Sequence, residues 1–227
     1  MNASRGAPGA REDFLPIVIL ISGRGSNLQA FIAALQSGEL DGDIALVVSN
    51  NPEAPGLDRA REAGIATACV DHRNYPTRED FDAALAATVA AAKPDLVILA
   101  GFMRILTGVF LTPFIGRLLN VHPSLLPKYP GLNTHQRALD AGDSEAGVTV
   151  HFVTLELDGG PPVLQATVPI DSGDTAETLA QKVLAEEHVI YPLAARWFLQ
   201  GRLALSDNGA VLDGKPIPPT GIPHTDV

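Results

Sequence analysis

The stretch Pro16-Ile-Val-Ile-Leu-Ile21 is a short apolar run, and it leads into the glycine loop Gly23-Arg24-Gly25-Ser26-Asn27. A run this short and rich in β-branched residues predicts a buried strand, whereas the spacing of apolar residues from Leu28 to Gln36 predicts a helix. A strand, a glycine loop and a helix in this order are typical of one unit of an α/β sheet.

The alternation of strand and helix continues along the chain. A parallel strand needs a crossover connection, usually a helix, so this order predicts a mainly parallel sheet with helices on both faces, a Rossmann-like α/β fold. The further predicted strands are Asp43 to Ser49, Ala66 to Val70 and Asp95 to Ala100, and the helices between them are Pro55 to Ala63 and Arg78 to Ala92.

The C-terminal half changes the pattern. A short turn region joins two strands, Val148 to Thr154 and Val163 to Val168, which predicts an antiparallel pair and therefore a mixed sheet. The longest predicted helix, Thr178 to Leu199, follows them. No repeat or domain-sized linker interrupts the chain, so we expect one domain over residues 15–213 between a flexible N-terminal tail (1–14) and a loose C-terminal tail rich in proline and glycine (214–227).

Composition excludes several function classes. The formal net charge of −10 over 227 residues argues against nucleic acid as a partner, because binding phosphate backbones needs clustered Lys and Arg. No run approaches the roughly 18 apolar residues of a membrane span, so no membrane partner is expected. Cys69 is the only cysteine, which permits no internal disulfide and indicates a reducing cytoplasm; we expect its thiol to be buried in a strand. No pair of histidines has metal-ligand spacing, so no metal is expected.

The run Asn120-Val-His-Pro-Ser-Leu-Leu-Pro127 places two reaction-capable side chains at the end of an apolar strand. Residues two apart on a strand share a face, so Asn120 and His122 would project together. In open α/β sheets ligands bind outside the carboxyl ends of the strands, where the glycine loop and Gly101-Phe-Met-Arg104 also fall. The alternative is a satisfied core histidine beside an asparagine that caps a turn.

The glycine loop favours phosphate binding, because glycines allow close backbone approach and the following helix offers unpaired N–H groups. It is not a P-loop, since no Gly-Lys-Ser/Thr follows. It also lacks the third glycine of a dinucleotide fingerprint, and the second strand ends in Ser49-Asn-Asn51 where a ribose-binding acid would be expected. The alternative is a tight turn that only needs glycine.

Two carboxylates complete the candidates. Glu187 is the only charge on an apolar stripe of the last helix, so it holds a cationic ligand or is tied to a protein donor such as a backbone amide or an arginine. Asp158 lies in a turn-forming Asp-Gly-Gly sequence, and it is also a candidate partner of His122, since a nearby carboxylate favours the protonated imidazole. The stripe consists of Leu179, Val183, Glu187, Ile190, Ala194 and Trp197.

Four motifs, in order and spacing, resemble those of the phosphoribosylglycinamide formyltransferase family, the GAR transformylases. The resemblance runs from about Pro16 to Leu212 and implies a Rossmann-like formyltransferase fold. The motifs are Ile21-Ser-Gly-Arg-Gly-Ser-Asn27, Leu99-Ala-Gly-Phe-Met-Arg-Ile-Leu106, Asn120-Val-His-Pro-Ser-Leu-Leu-Pro-Lys-Tyr-Pro-Gly131 and Val148-Thr-Val-His-Phe-Val153.

The resemblance implies formyl transfer from 10-formyltetrahydrofolate to the amine of glycinamide ribonucleotide in purine synthesis, without a metal or a covalent enzyme intermediate. Asn120 and His122 would stabilise the oxyanion of a tetrahedral intermediate, and Asp158 would orient His122 and assist proton movement. Gly25, Ser26 and Asn27 would hold the substrate phosphate. Glu187 would bind the ribose, and Met103 would touch the substrate. The implied folate site comprises Arg78, Met103, Arg104, Ile105, Leu106, Asn120, Thr154, Leu155, Glu156, Leu157 and Asp158.

Three other functions share part of this sequence pattern. Methionyl-tRNA formyltransferase shares this fold but carries a further C-terminal domain, and formyltetrahydrofolate deformylase, a hydrolase, carries an N-terminal one; we expect no room for either here. A non-catalytic folate or nucleotide binding module would not need Asn120, His122 and Asp158 together. The expected partners are the two small-molecule substrates, and a homodimer is compatible with the sequence.

Overall fold

A computed structural model describes residues 15–227, so the predicted N-terminal tail lies outside the described residues. Eleven strands and six helices occur in this part of the chain. The strands are β1 Pro16–Ile21, β2 Asp43–Ser49, β3 Thr67–Cys69, β4 Leu96–Leu99, β5 Leu118–His122, β6 Glu145–Phe152, β7 Pro162–Pro169, β8 Leu203–Ser206, β9 Gly209–Leu212, β10 Lys215–Pro216 and β11 Ile222–Pro223. The helices are α1 Ser26–Ser37, α2 Gly56–Glu62, α3 Arg78–Ala91, α4 Gly108–Leu111, α5 Thr134–Ala141 and α6 Ala176–Leu199.

Eight strands form one mixed sheet in the order β11-β7-β6-β5-β4-β1-β2-β3. The five strands β3, β2, β1, β4 and β5 are parallel to one another. β6 and β7 pair antiparallel, as the sequence predicts, and β5 and β6 also pair antiparallel. Chain order reverses on the two sides of β1, because β2 lies on one side and β4 on the other. That reversal is where open α/β sheets open a crevice for ligands.

The alternation along β1 builds two cores. Ile17, Ile19 and Ile21 pack on one face against residues of α1 and α6, while Val18 and Leu20 pack on the other face against α3 and α4. Every residue from Ile17 to Ile21 is fully buried, because helices cover both faces of this central strand.

Two sequence-based expectations are wrong. The C-terminal tail is not loose, since Ile222 and Pro223 pair in parallel with Leu164 and Gln165 of β7 and so extend the main sheet. Cys69 is exposed, because β3 is short and forms the open edge of the sheet. The division into one domain with two tails otherwise stays a prediction.

Candidate active site

The predicted site segments converge at one edge of the sheet. Because β1, β4 and β5 are parallel neighbours, their carboxyl ends meet at the same edge. The glycine loop follows β1, the segment from Gly101 to Leu106 follows β4, and β5 ends at His122. Leu119 and Val121 face one of the two cores, so Asn120 and His122 share the opposite face of β5.

Both ring nitrogens of His122 face an acceptor. Nε2 lies 2.9 Å from the carbonyl oxygen of Tyr129, and a carbonyl only accepts, so Nε2 carries a hydrogen. Nδ1 lies 3.5 Å from Oδ2 of Asp158. This ring is therefore buried and oriented, with Nδ1 as the nitrogen that can exchange a proton beside the carboxylate, which is the pairing that the sequence predicts.

Asp158 is held by its own loop. Its backbone has a left-handed φ of 52°, a conformation that Asp tolerates better than most residues, and its Oδ2 accepts a hydrogen bond of 2.8 Å from the amide of Gly131. Gly160 is required by packing, because a Cβ there would lie 1.8 Å from the carbonyl oxygen of Phe152. The Asp-Gly-Gly sequence thus forms a turn and also places a carboxylate against His122.

Asn120 is oriented by His151, a residue outside the predicted site. Asn120 Nδ2 lies 3.1 Å from His151 Nε2, and His151 Nδ1 lies 2.9 Å from the carbonyl oxygen of Phe152. Nδ1 must donate to that carbonyl, so Nε2 accepts from the amide, and the second N–H of Asn120 stays available to a ligand. The sequence signal was the polar residue in the apolar run Val148 to Val153, opposite Asn120 in the β5–β6 register.

The neutral state of His151 predicts a pH-dependent stability. Burial lowers the pKa of His151 from 6.5 to about 4, so the unfolded chain binds a proton that the folded chain refuses. The contribution of neutral His151 to the free energy of unfolding is complete above pH 6.5 and is lost as the pH falls toward 4. At about 1.4 kcal/mol per pKa unit, we expect the titration of His151 by itself to lower the free energy of unfolding by about 3 kcal/mol over this window.

Denaturant unfolding at several pH values checks this expectation, with His151→Gln as the comparison. The variant should lose less stability than the unsubstituted protein between pH 6.5 and 4, because glutamine does not titrate. Parallel pH profiles for the two proteins would contradict the assignment.

The glycine loop is fastened to α2. Gly25 caps α1 with a left-handed φ of 71°, and the amide of Gly56 donates to the carbonyl oxygen of Gly23 at 3.0 Å. A Cβ at Gly25 would lie 2.9 Å from the Cα of Gly56. The tight-turn reading therefore accounts for Gly25, while the first amides of α1, beginning at Ser26, remain without partners inside the helix.

Substituting the two glycines that flank α1 separates strain from close packing. Gly25→Ala and Gly38→Ala both force alanine into a left-handed conformation, at about 1 to 2 kcal/mol each, but only Gly25 has a neighbour in the way. We therefore expect a larger loss of unfolding free energy for Gly25→Ala, measured by denaturant unfolding. Equal losses would show that the approach of Gly56 is unimportant.

Glu187 is tied to the glycine loop. Asn27 Nδ2 donates to Glu187 Oε2 at 2.7 Å, and both residues are buried, as are the other members of the predicted stripe. Burial raises the pKa of Glu187, and the hydrogen bond from Asn27 opposes that shift. The protein donor is thus an asparagine side chain rather than a backbone amide or arginine. The Nδ2 group of Asn27 is thus engaged with Glu187 within the protein.

A cavity of about 800 Å³ lies between α1 and α6. It reaches the glycine loop at Ser26 and is lined along its length by Ala30, Val189 and Leu193, but it contains none of Asn120, His122 or Asp158. Asn120 and His122 instead lie in β5, and the Asp158 carboxylate lies 3.5 Å from Nδ1 of His122.

Exposed apolar side chains mark the predicted folate segments. Met103 is 69% exposed, Ile105 54%, Leu155 66% and Leu157 55%, although they follow strands whose own residues are buried. A Cβ at Gly108 would lie 3.6 Å from Leu155, so the two segments are adjacent. Apolar side chains grouped in this way are typical of a surface that receives a ligand.

The remaining predicted folate residues occupy the same region. Arg78 opens α3 and is exposed, and the Arg104 guanidinium lies 5.1 Å from the ring centre of Phe81. Leu106 is half-buried against the core under β4. Thr154 is half-buried and Glu156 exposed, both in the loop that ends at Asp158.

Asn120, His122 and Asp158 bring an amide, an imidazole and a carboxylate together at the end of β5 in a mixed Rossmann-like sheet. The sequence model of the formyl transferase family matches residues 15–195. The chain therefore belongs to the formyl transferase family, and it is a transferase enzyme of that family.

Individual relatives agree with this assignment. The Escherichia coli phosphoribosylglycinamide formyltransferase is 52% identical over 90% of this chain and 97% of its own length. The trifunctional purine biosynthetic protein adenosine-3 of Bos taurus is 44% identical over 86% of this chain, which spans 19% of that protein. A solved phosphoribosylglycinamide formyltransferase from Coxiella burnetii, 50% identical, superposes with a TM-score of 0.89 over 93% of this chain and 99% of that one. These relatives confirm the expected family and fold. No helix within residues 15–227 is long and apolar enough to cross a membrane.

Proposed function

We propose that the protein transfers the formyl group of 10-formyltetrahydrofolate to the amino group of N1-(5-phosphoribosyl)glycinamide in purine (IMP) biosynthesis. The observation that carries this proposal is the placing of His122 Nδ1 3.5 Å from Asp158, beside the oriented amide of Asn120, in a formyl transferase. The names of the relatives supply the acceptor.

The reaction needs one bond to form and one to break. The acceptor amine attacks the formyl carbon, and the carbonyl oxygen becomes an oxyanion in a tetrahedral intermediate. The free N–H of Asn120 and the Nδ1–H of His122 donate to that oxygen. His122, with a hydrogen on each ring nitrogen, gives its Nδ1 proton to N10 of the folate as the bond between carbon and N10 breaks. Asp158 accepts the proton that the amine loses, directly or through water, and then passes it to Nδ1 of His122, which lies 3.5 Å away. No covalent bond to the protein forms.

The glycine loop and Glu187 hold the acceptor. Backbone amides at Gly25, Ser26 and Asn27 bind its phosphate at the positive end of α1, and Glu187 accepts from the ribose hydroxyls. The hydrogen bond between Asn27 and Glu187 fixes the spacing of the phosphate and ribose positions. Met103 contacts the glycinamide part of the acceptor.

The folate lies against the exposed apolar side chains after β4 and β6. Met103, Ile105, Leu155 and Leu157 cover its rings, while backbone groups of Arg104 and Leu106 and the loop of Thr154 and Glu156 pair with the pterin. Arg78, at the start of α3, lies near the carboxylate-bearing end of 10-formyltetrahydrofolate. The cytoplasmic location and the homodimer stay predictions.

Mass spectrometry of the products tests this proposal. Purified protein with both substrates should yield formylated glycinamide ribonucleotide and tetrahydrofolate in equal amounts. Free formate without formylated acceptor would instead identify a hydrolase.

A further inference from the structure

Ser22 joins the two segments that are proposed to bind the two substrates. It follows β1 directly and precedes Gly23 of the glycine loop. Its amide donates to the carbonyl oxygen of Gly101 at 3.3 Å, and its Oγ accepts from the amide of Met103 at 2.8 Å. One residue therefore ties the phosphate loop after β1 to the folate segment after β4.

A buried asparagine fixes the direction of the Ser22 hydroxyl. Ser22 Oγ donates its single proton to Asn50 Oδ1 at 2.6 Å, so its lone pairs are left for the amide of Met103. Asn50 follows β2, and its Nδ2 and carbonyl oxygen lie 3.1 and 2.9 Å from His72 Nδ1. The ends of three adjacent strands are thus held by one polar network.

We propose that Ser22 is a positioning residue that couples the two substrate sites, with Asn50 fixing its hydroxyl; this inference rests on the proposed function. Met103 is the first residue of the proposed folate segment, Met103 to Leu106. Ser22 is the residue directly before Gly23 of the glycine loop. Because Ser22 is bonded to Gly101 and Met103, a ligand that holds one segment in its binding position also favours the binding position of the other. Each substrate therefore increases the affinity for the other, by the same factor in both directions.

Ser49 provides a matched control. It is also a serine at the carboxyl end of a central strand, but its Oγ exchanges hydrogen bonds only with the backbone of Asn51, at 2.9 and 3.0 Å. Ser49→Ala thus removes a hydroxyl from the same edge of the sheet without touching Gly101 or Met103.

Isothermal titration tests the coupling. The dissociation constant of glycinamide ribonucleotide is measured with and without tetrahydrofolate, which has no formyl group to transfer, and the reverse titration follows. We expect each ligand to tighten the other by about 5-fold or more in the unsubstituted protein and in Ser49→Ala. Ser22→Ala keeps the backbone bond to Gly101 but loses the bonds to Met103 and Asn50, so the ratio should fall well below that of the unsubstituted protein in both directions, while each ligand alone still binds.

Two further variants keep the test decisive if Ser22→Ala does not fold. Ser22→Thr retains the hydroxyl and should retain the coupling, whereas Asn50→Ala removes its acceptor and should lower the ratio. Full coupling in a folded Ser22→Ala, or a ratio of 1 in the unsubstituted protein, would overturn this inference alone. No binding of glycinamide ribonucleotide by the unsubstituted protein would overturn the proposed function instead.

Discussion

Replacing His122 with alanine is expected to lower kcat by about 10²- to 10⁴-fold, the range typical of a lost acid–base group. In the proposed mechanism the ring supplies both a donor for the oxyanion and the proton for the leaving nitrogen. Nε2 of His122 is bonded to the carbonyl of Tyr129, and this leaves Nδ1 as the ring nitrogen that faces Asp158. Steady-state kinetics with both substrates varied measures the effect, and KM for each should change little.

His224→Ala is the control for His122→Ala. His224 lies 3.6 Å from Glu186 at the C-terminal end of the chain, far in sequence from the proposed site, and its loss should leave kcat unchanged. His122→Asn shows whether the effect of alanine comes from the space that it leaves empty. Asparagine fills part of that space, but it cannot give up a proton as an imidazole can. Activity of His122→Asn near that of the unsubstituted protein would contradict the proposed role.

Asp158→Asn is expected to lower kcat by about 100-fold or more, because it removes the proposed acceptor of the attacking amine's proton. Asparagine can still accept the hydrogen bond from Gly131, so the loop should keep its position. Kinetics across the pH range gives the measurement, and the change should fall on kcat more than on either KM.

Asp171→Asn controls for a general effect of charge, since Asp171 is an exposed carboxylate paired with Lys182. We expect normal turnover in that variant. Unchanged activity in Asp158→Asn would remove Asp158 from the mechanism and leave the Asp-Gly-Gly sequence as a turn only.

Local patterns predicted most of the central sheet. The apolar run of β1 predicted the first strand because Ile17 to Ile21 of that strand are fully buried, and the glycine loop predicted a turn because Gly25 has a left-handed φ and lies against Gly56. The spacing of Asn120 and His122 predicted a shared face, and the isolated charge of Glu187 predicted a buried partner. These inferences succeeded because each depended on a short stretch and its period.

Features that depend on distant contacts were missed. His151 and Tyr129 orient Asn120 and His122 through pairings that only the folded sheet creates. The C-terminal strand β11 is two residues long and is stabilised by the edge of β7 rather than by its own sequence. The small sheet of β8, β9 and β10 had a readable signal, since Asn208-Gly209 is a typical hairpin turn pair, but its strands are too short for a clear period.

The proposed function depends on direct passage of formyl to an acceptor amine. The initial rate of tetrahydrofolate release, followed by absorbance as glycinamide ribonucleotide is varied in the presence of a metal chelator, distinguishes this step from hydrolysis. We expect a rate that depends on the acceptor and saturates in the unsubstituted protein, and that is lost in His122→Ala. Release of tetrahydrofolate at the same rate without any acceptor would contradict direct transfer.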